Sequence, residues 1–333
     1  MHAVVLVGGF GTRLRPLTLT VPKPLLPIVH VPILERLMTS LASSGVTDAV
    51  LSLGFKAEPF RDAFPDNLCG GVRLSYAVED SPLDTAGAIG FAARTAGINE
   101  TFVVANGDVI SDLNVAALIE FHRHHQAEGT IHLVPVPNPS QYGVAEVDSN
   151  GRIERFIEKP QPGDTTSRLV SGGMYVLEPS ALNRMPGTAP LSIERDTFPR
   201  MVKEGVLYAL ATDDYWIDAG QPDTYIRANL EWVSRGKSKQ SEAIHPTAQV
   251  ARSARVSNSV IGAGVRVGRD AVVESSVLLS GSTVAERAHI EESAVMGTVD
   301  HDARLTRCVI GCDGFVTAGT TLVDKRVPAP IDK

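Results

Sequence analysis

The chain has 333 residues, 43% of them hydrophobic, with a formal net charge of -7. That length allows two domains, and the acidic balance argues against a general nucleic-acid binder, which would show a basic face. No apolar stretch reaches the ~20 residues that cross a bilayer, and Met1 leads directly into a strand pattern, so the expectation is a cytoplasmic protein with no membrane or nucleic-acid partner.

The first apolar run, Ala3-Val4-Val5-Leu6-Val7, reads as a buried strand. It enters a glycine-rich turn, Gly8-Gly9-Phe10-Gly11-Thr12-Arg13-Leu14, followed by Arg15, Pro16 and Pro22-Lys23-Pro24. Gly8, Gly9 and Gly11 can take positive φ and leave space where a Cβ would block a ligand, and their amides can converge on phosphate oxygens as an anion nest. Arg13 and Lys23 add full charges, so the segment is expected to hold a polyphosphate. It is not a Walker loop, which needs G-x-x-x-x-G-K-[ST], nor a dinucleotide fingerprint, whose third glycine would fall on Leu14.

Beyond the loop, Ile33, Leu34, Leu37, Met38 and Leu41 recur at helical spacing. Ala49–Leu53 and Val72–Val78 read as strands, Ala86–Ala96 as a helix, and Thr101–Ala105 as a buried strand ending at Asn106-Gly107-Asp108. Asn114 suits the cap of a helix that buries Val115, Leu118 and Ile119. This alternation predicts an α/β fold, a Rossmann-like, mostly parallel sheet covered by helices, with ligands beyond the carboxyl ends of its strands. A strand-rich stretch follows over 130–177, with Asn150-Gly151 as a hairpin turn, and helical pattern returns near Ile193–Val202 and Thr224–Val233. The polar run 234–243 reads as a linker between a domain at 1–233 and one at 244–326.

In that second domain apolar residues recur about every six positions: Ile244, Val250, Val256, Ile261, Val267, Val273, Leu279, then Val284, Ile290, Met296, and again Ile310, Val316, Leu322. Period six is the hexapeptide repeat of a parallel β-helix, whose stacked coils bury the column jointly. Asp108 and Asp218 are the carboxylates best suited to magnesium beside loop-bound phosphates, provided they meet in space.

These pieces resemble the sugar nucleotidyltransferase family. The resemblance rests on Gly-Gly-x-Gly-Thr-Arg-Leu at 8–14, Pro-Lys-Pro at 22–24, Asn-Gly-Asp at 106–108, Glu-Lys-Pro at 158–160 and Trp-Ile-Asp-Ala-Gly at 216–220. Ser192-Ile193-Glu194-Arg195-Asp196 and Gly220-Gln221-Pro222 are similar to the branch that makes GDP-mannose. The resemblance implies a nucleotidyltransferase domain followed by a left-handed parallel β-helix, and a reaction in which a sugar 1-phosphate attacks the α-phosphorus of a nucleoside triphosphate. It implies nucleotide contacts from Leu6, Gly8, Gly9, Gly11, Thr12, Arg13, Lys23, Glu79, Thr85, Ala86, Gly87, Asn106, Gly107 and Asp108, with Arg13, Lys23 and Asp108 catalytic. It also implies sugar-phosphate contacts from Tyr142, Gly143, Glu158, Lys159, Ser171 and Gly172, magnesium on Asp108 and Asp218, and a homo-oligomer, with the β-helix as a route to assembly.

A carboxylate only accepts hydrogen bonds, and guanine offers two adjacent donors, so Glu79 favours GTP; the competing reading of Glu79 is an exposed acidic loop. Two departures from the family pattern bear on specificity. Asp84 stands where a glycine usually makes the turn, and Ser171 stands where asparagine is common. Other members of the same family use UTP, dTTP or ATP with glucose 1-phosphate, and some relatives are regulatory; acyl transfer on the β-helix would need a base such as His289 or His301. His122, His124 and His125 are expected to be exposed on a polar helix end. The cysteines, few and odd in number, suit a reducing compartment, with Cys308 and Cys312 packing rather than binding metal.

Overall fold

The computed structural model describes residues 1–9, 11–54, 57–236 and 242–329. Phe10 of the glycine turn and residues 237–241 of the expected linker lie outside the described residues. Residues 234 and 235 belong to the last turn of the helix Pro222–Arg235 rather than to a linker. The chain forms two compact units, Met1–Gly9 with Leu34–Trp216, and Phe10–Ile33 with Ile217–Lys333. The glycine turn is thus divided: Gly8 and Gly9 belong with the first unit, Gly11 onward with the second.

The first unit is built on a ten-stranded sheet. From one edge it runs Ile153–Glu158, Gly143–Val147, Leu169–Leu177, Phe102–Asn106, His2–Leu6, Asp48–Leu53, Val72–Val78 and Leu68–Cys69; Gly129–Pro135 pairs with Leu169–Leu177 and with Leu207–Ala211. The four strands from Phe102–Asn106 to Val72–Val78 are parallel, the Rossmann-like part. The half beyond Phe102–Asn106 is joined mainly by antiparallel pairs, so the sheet as a whole is mixed. The near-continuous run Ala3-Val4-Val5 is fully buried, as expected of a central parallel strand. The helix Asp84–Thr95 packs its alanines on this sheet, in a core shared with Ile89, Phe102, Tyr175 and Phe198.

Asn114 caps the helix Val115–His124, accepting from Ala117 N at 3.2 Å. His122 departs from its expected exposure. It is 1% exposed, with Nδ1 2.8 Å from Thr130 Oγ1 and Nε2 3.0 Å from Glu178 Oε1. Helical spacing places it on the same inward stripe as Leu118 and Ile119, and the two hydrogen bonds offset its desolvation. His124 is exposed, and His125 is half-buried, stacked on Phe121.

In the second unit, three five-stranded parallel sheets form the faces of the parallel β-helix that the repeat predicts, consistent with the left-handed kind that the resemblance implies. Val250, Val267, Val284, Val299 and Val316 stack in register on one face. Ile261, Leu278, Val295, Ile310 and Val327 stack on another. Leu278 and Val295, not Leu279 and Met296, therefore continue the column. Spacing along the coil alternates six, five and six, because a coil takes 17 residues, and one takes 15. A small-residue ladder lines one corner: Ser276 N donates to Ser259 Oγ, Ser293 N to Ser276 Oγ and Cys308 N to Ser293 Oγ, at 3.1, 3.0 and 2.9 Å. Cys308 is thus a buried ladder rung, as expected of a packing residue, whereas Cys312 is exposed. Among the described residues no helix is long and apolar enough to cross a membrane.

Candidate active site

The first unit contributes two groups of candidate residues. Register Leu6↔Asn106 puts the ends of two neighbouring parallel strands side by side. Gly107 N donates to Leu6 O at 2.9 Å, and a Cβ on Gly107 would fall 2.6 Å from Val7 Cγ1, so only glycine lets this strand end close against its neighbour. Asp108 follows directly, half-buried. Gly8 is required by close approach rather than by its torsion: its Cβ would lie 2.8 Å from Gly54 N. Neither Gly8 nor Gly9 takes the positive φ expected of a nest; Gly11 does, at 56°.

The sugar-side residues are assembled by strand pairing. Gly143 lies opposite Glu158, and Lys159 N donates to Tyr142 O at 3.0 Å. A Cβ on Gly143 would meet Phe156 Cζ at 2.5 Å and Glu158 Oε2 at 3.1 Å. Lys159 turns out at φ 52° and leaves Nζ exposed, 3.7 Å from Glu158 Oε1. Glu158 is not the solvated strand-end charge that bare sequence allows. Burial, then the neighbouring Glu194 carboxylate, pushes its carboxyl above the ordinary glutamate range, against the opposing pull of Lys159 and Arg195.

Ser171 and Gly172 sit where the strand Leu169–Leu177 breaks register with Gly129–Pro135, between Ser171↔Leu133 and Tyr175↔Ile131. Two glycines form this bulge. Gly173 has φ 76°, and a Cβ on Gly172 would fall 2.5 Å from His132 Nδ1. Trp216 Nε1 donates to Gly172 O at 2.9 Å, and its ring meets Tyr142 edge-on, with centroids 5.5 Å apart. Bulges of this kind re-aim a strand beside functional groups.

The nucleotide-side residues Glu79 to Gly87 are more internally committed than sequence suggests. Glu79 is half-buried, not an exposed loop acid: Oε2 accepts from Leu83 N at 2.9 Å and Oε1 from Ser52 Oγ at 3.2 Å. Each oxygen keeps a further lone pair. Asp84 makes the turn usually given to glycine, at φ 54°. Ala86 N and Gly87 N both donate to Leu191 O, and Thr85 Oγ1 donates to Glu194 Oε2 at 2.8 Å while accepting from Ile193 N. Glu194, which sequence reasoning used only as a branch marker, therefore accepts from the Thr85 turn while its charge opposes ionisation of the Glu158 carboxyl. The available signal was an acid inside the Ser-Ile-Glu-Arg-Asp string.

The second unit holds the cations. Lys23 is 4% exposed, and its Nζ lies 2.9 Å from Asp218 Oδ1. Arg13 Nη2 lies 3.7 Å from Asp218 Oδ2, on a side chain that is largely exposed. A Cβ on Gly220 would fall 2.8 Å from Asp218 Oδ1, 2.9 Å from Arg13 Nη2 and 3.2 Å from Lys23 Nζ. The glycine of Trp-Ile-Asp-Ala-Gly is thus the floor on which both cations and their acid meet, a role sequence alone did not assign. Gly11 and Thr12 open a short 3-10 turn; Thr18 Oγ1 donates back to Gly11 O at 2.7 Å.

Residues 2–235 match the family described as Nucleotidyl transferase. The chain belongs to the nucleotidyl transferase family. Residues 239–331 match the GMPPB C-terminal domain. A mannose-1-phosphate guanyltransferase beta-B of Xenopus laevis is 39% identical over 248 residues, 74% of this chain and 68% of its own. A mannose-1-phosphate guanyltransferase of Schizosaccharomyces pombe is 40% identical over 250 residues, with the same coverage of each chain. Among solved nucleotidyl transferase-like structures, HddC from Yersinia pseudotuberculosis in complex with GMP-PN is 30% identical with TM-score 0.59, covering 69% of this chain and 98% of its own. A putative glucose-1-phosphate thymidylyltransferase from Bacillus anthracis is 26% identical with TM-score 0.64, covering 72% and 98%.

Proposed function

We propose that this chain transfers the guanylyl group of GTP to mannose 1-phosphate, giving GDP-mannose and pyrophosphate. The observation that carries this reading is the pair of cations Arg13 and Lys23 gathered on Asp218, in a chain whose relatives are named for that reaction. The solved neighbours include a protein bound to GMP-PN and a putative thymidylyltransferase, so the fold by itself does not choose the base. The choice of GTP over UTP, dTTP or ATP rests on the named relatives and on Glu79.

A sugar phosphate oxygen forms the new bond to the α-phosphorus, and the bond from that phosphorus to the bridging oxygen of the leaving pyrophosphate breaks. Such a displacement needs alignment and charge neutralisation rather than a protein nucleophile. Arg13 and Lys23 take the triphosphate and the departing pyrophosphate, exchanging part of their pairing with Asp218 for phosphate oxygens. Lys159 holds the phosphate of the sugar and Glu158 accepts its hydroxyls; Ser171 and the Gly172 backbone line the same pocket with Tyr142. Asp108 and Asp218 are hard oxygen donors, each of the kind that would suit magnesium. When bound, the ion supplies further neutralisation of the reacting phosphates.

Pyrophosphate release from a panel of four triphosphates against mannose and glucose 1-phosphates tests the reading. GTP with mannose 1-phosphate should turn over fastest, and a preference for UTP or dTTP would overturn the assignment. Asp108→Asn should lower turnover roughly a hundredfold or more. Unchanged turnover would remove its role.

A further inference from the structure

The segment that carries Arg13 and Lys23 has little regular structure of its own. It consists of three-residue 3-10 turns and the two-residue strands Pro27–Ile28 and Val31–Pro32. Much of what holds it comes from far along the chain, including two sets of contacts. The first is the helix Pro222–Arg235: Tyr225 OH donates to Pro27 O at 2.7 Å, and Val29 N donates to the buried Asn229 Oδ1 at 2.6 Å. The second is the end of the β-helix. Arg326 Nη1 donates to Arg15 O at 3.0 Å, across 311 residues. Gly311 lies so close to Pro16 that a Cβ there would sit 2.8 Å from Pro16 Cβ and 3.0 Å from Pro16 O. Thr20 Oγ1 reaches Met296 Sδ at 4.0 Å.

We infer that the last coils of the β-helix position the triphosphate-binding segment, with Gly311 and Arg326 clasping Arg15-Pro16 so that Arg13 and Lys23 stand at fixed places. The β-helix is then a working part of the catalytic unit. Gly311 and Arg326 are positioning residues; they act through the loop backbone and not on substrate. The geometry is specific. Arg15 and Pro16 directly follow the turn that ends at Leu14, so a shift at Pro16 is passed to Arg13 within three residues. Gly311 has no positive φ, so alanine is allowed by its backbone, and the three atoms nearest its added Cβ all belong to Pro16. A misplacement of about an ångström well away from the chemistry is enough to cost substantial rate.

The inference rests on the proposed reaction, and the wild-type assay separates the two: a wild type inactive with GTP and mannose 1-phosphate defeats the function, not the clasp. In an active full-length enzyme, Gly311→Ala and Arg326→Ala should each raise the KM for GTP roughly three- to tenfold or lower kcat comparably, and should change the KM for mannose 1-phosphate less than about twofold. Arg326→Lys, which keeps a donor, should recover part of the loss. Phe315→Ala, on an exposed side chain of the same coils, should match wild type. Arg326→Ala removes one hydrogen bond from a half-buried side chain, so it remains informative where Gly311→Ala folds poorly. Folded variants with wild-type GTP kinetics, equal losses for both substrates, or equal losses in Phe315→Ala would each overturn the clasp.

Discussion

Glu158 stands beside Gly143 because two strands are paired in register, the two residues being 15 positions apart in sequence. Lys23 reaches Asp218 across 195 residues, and the backbone of the segment that carries Arg13 and Lys23 is held at Arg15 and Pro27 by groups 311 and 198 residues away. The sugar-side cluster is therefore as rigid as its sheet. The phosphate-side cluster depends on tertiary contacts that each contribute about a kilocalorie per mole. The first kind of site fails only when its own residues change. The second also fails when a distant support changes.

The largest effect should fall on the phosphate side. Lys23→Ala removes a buried charge from the proposed triphosphate site and from Asp218 Oδ1; kcat/KM for GTP should drop roughly 10²–10³-fold in steady-state assays. A loss below tenfold would mean that the buried pair is structural. Gly220→Ala touches no substrate yet intrudes on Asp218, Arg13 and Lys23 together, and should cost roughly 10–100-fold in kcat/KM with little change in thermal midpoint. On the sugar side, Lys159→Ala should raise the KM for mannose 1-phosphate about tenfold while the KM for GTP holds, since its exposed ammonium pairs with Glu158, also on the sugar side, at 3.7 Å. If both KM values rose together, the two clusters would not be separable.

The smallest effect is a shift of pH dependence. In the proposed reaction Glu158 accepts sugar hydroxyls most strongly when ionised, and burial together with Glu194 raises its carboxyl. As pH falls, kcat/KM for the sugar phosphate should decline at a pH above the ordinary glutamate range. Glu194→Gln keeps hydrogen-bonding atoms near Thr85 and Ser192 but removes the like charge, so that limb should move to lower pH. A limb that stays in place would show burial alone to be responsible.

The same contrast explains what could be read from the letters. Strands such as Phe102–Asn106 and the Asn114 cap were legible because hydrophobic pattern and local hydrogen bonding decide them. The β-helix was legible as a period of about six, but Leu278 and Val295 were missed for Leu279 and Met296 because a coil of 17 residues does not divide by six. His122 was misread because polar neighbours obscured an inward position whose partners, Thr130 and Glu178, come from separate strands or strand ends. Arg13, Lys23 and Asp218 were nameable from motifs. The reasons for Gly220, Gly311 and Arg326 were not, since each depends on what another part of the chain brings within 3 Å or so.

The stacked coils also act as a measuring rod. Coils rise by one strand spacing, about 4.8 Å, and the two groups that meet Arg15-Pro16 lie on the last ones. An extra 17-residue coil inserted ahead of residue 294 would extend the solenoid seamlessly, matching serine to serine at the corner, yet would carry residues 311 and 326 one rung past their targets. Repeat number in this domain is thus constrained by catalysis as well as by folding, and a change of length by one coil should be tolerated by the stack and refused by the turnover.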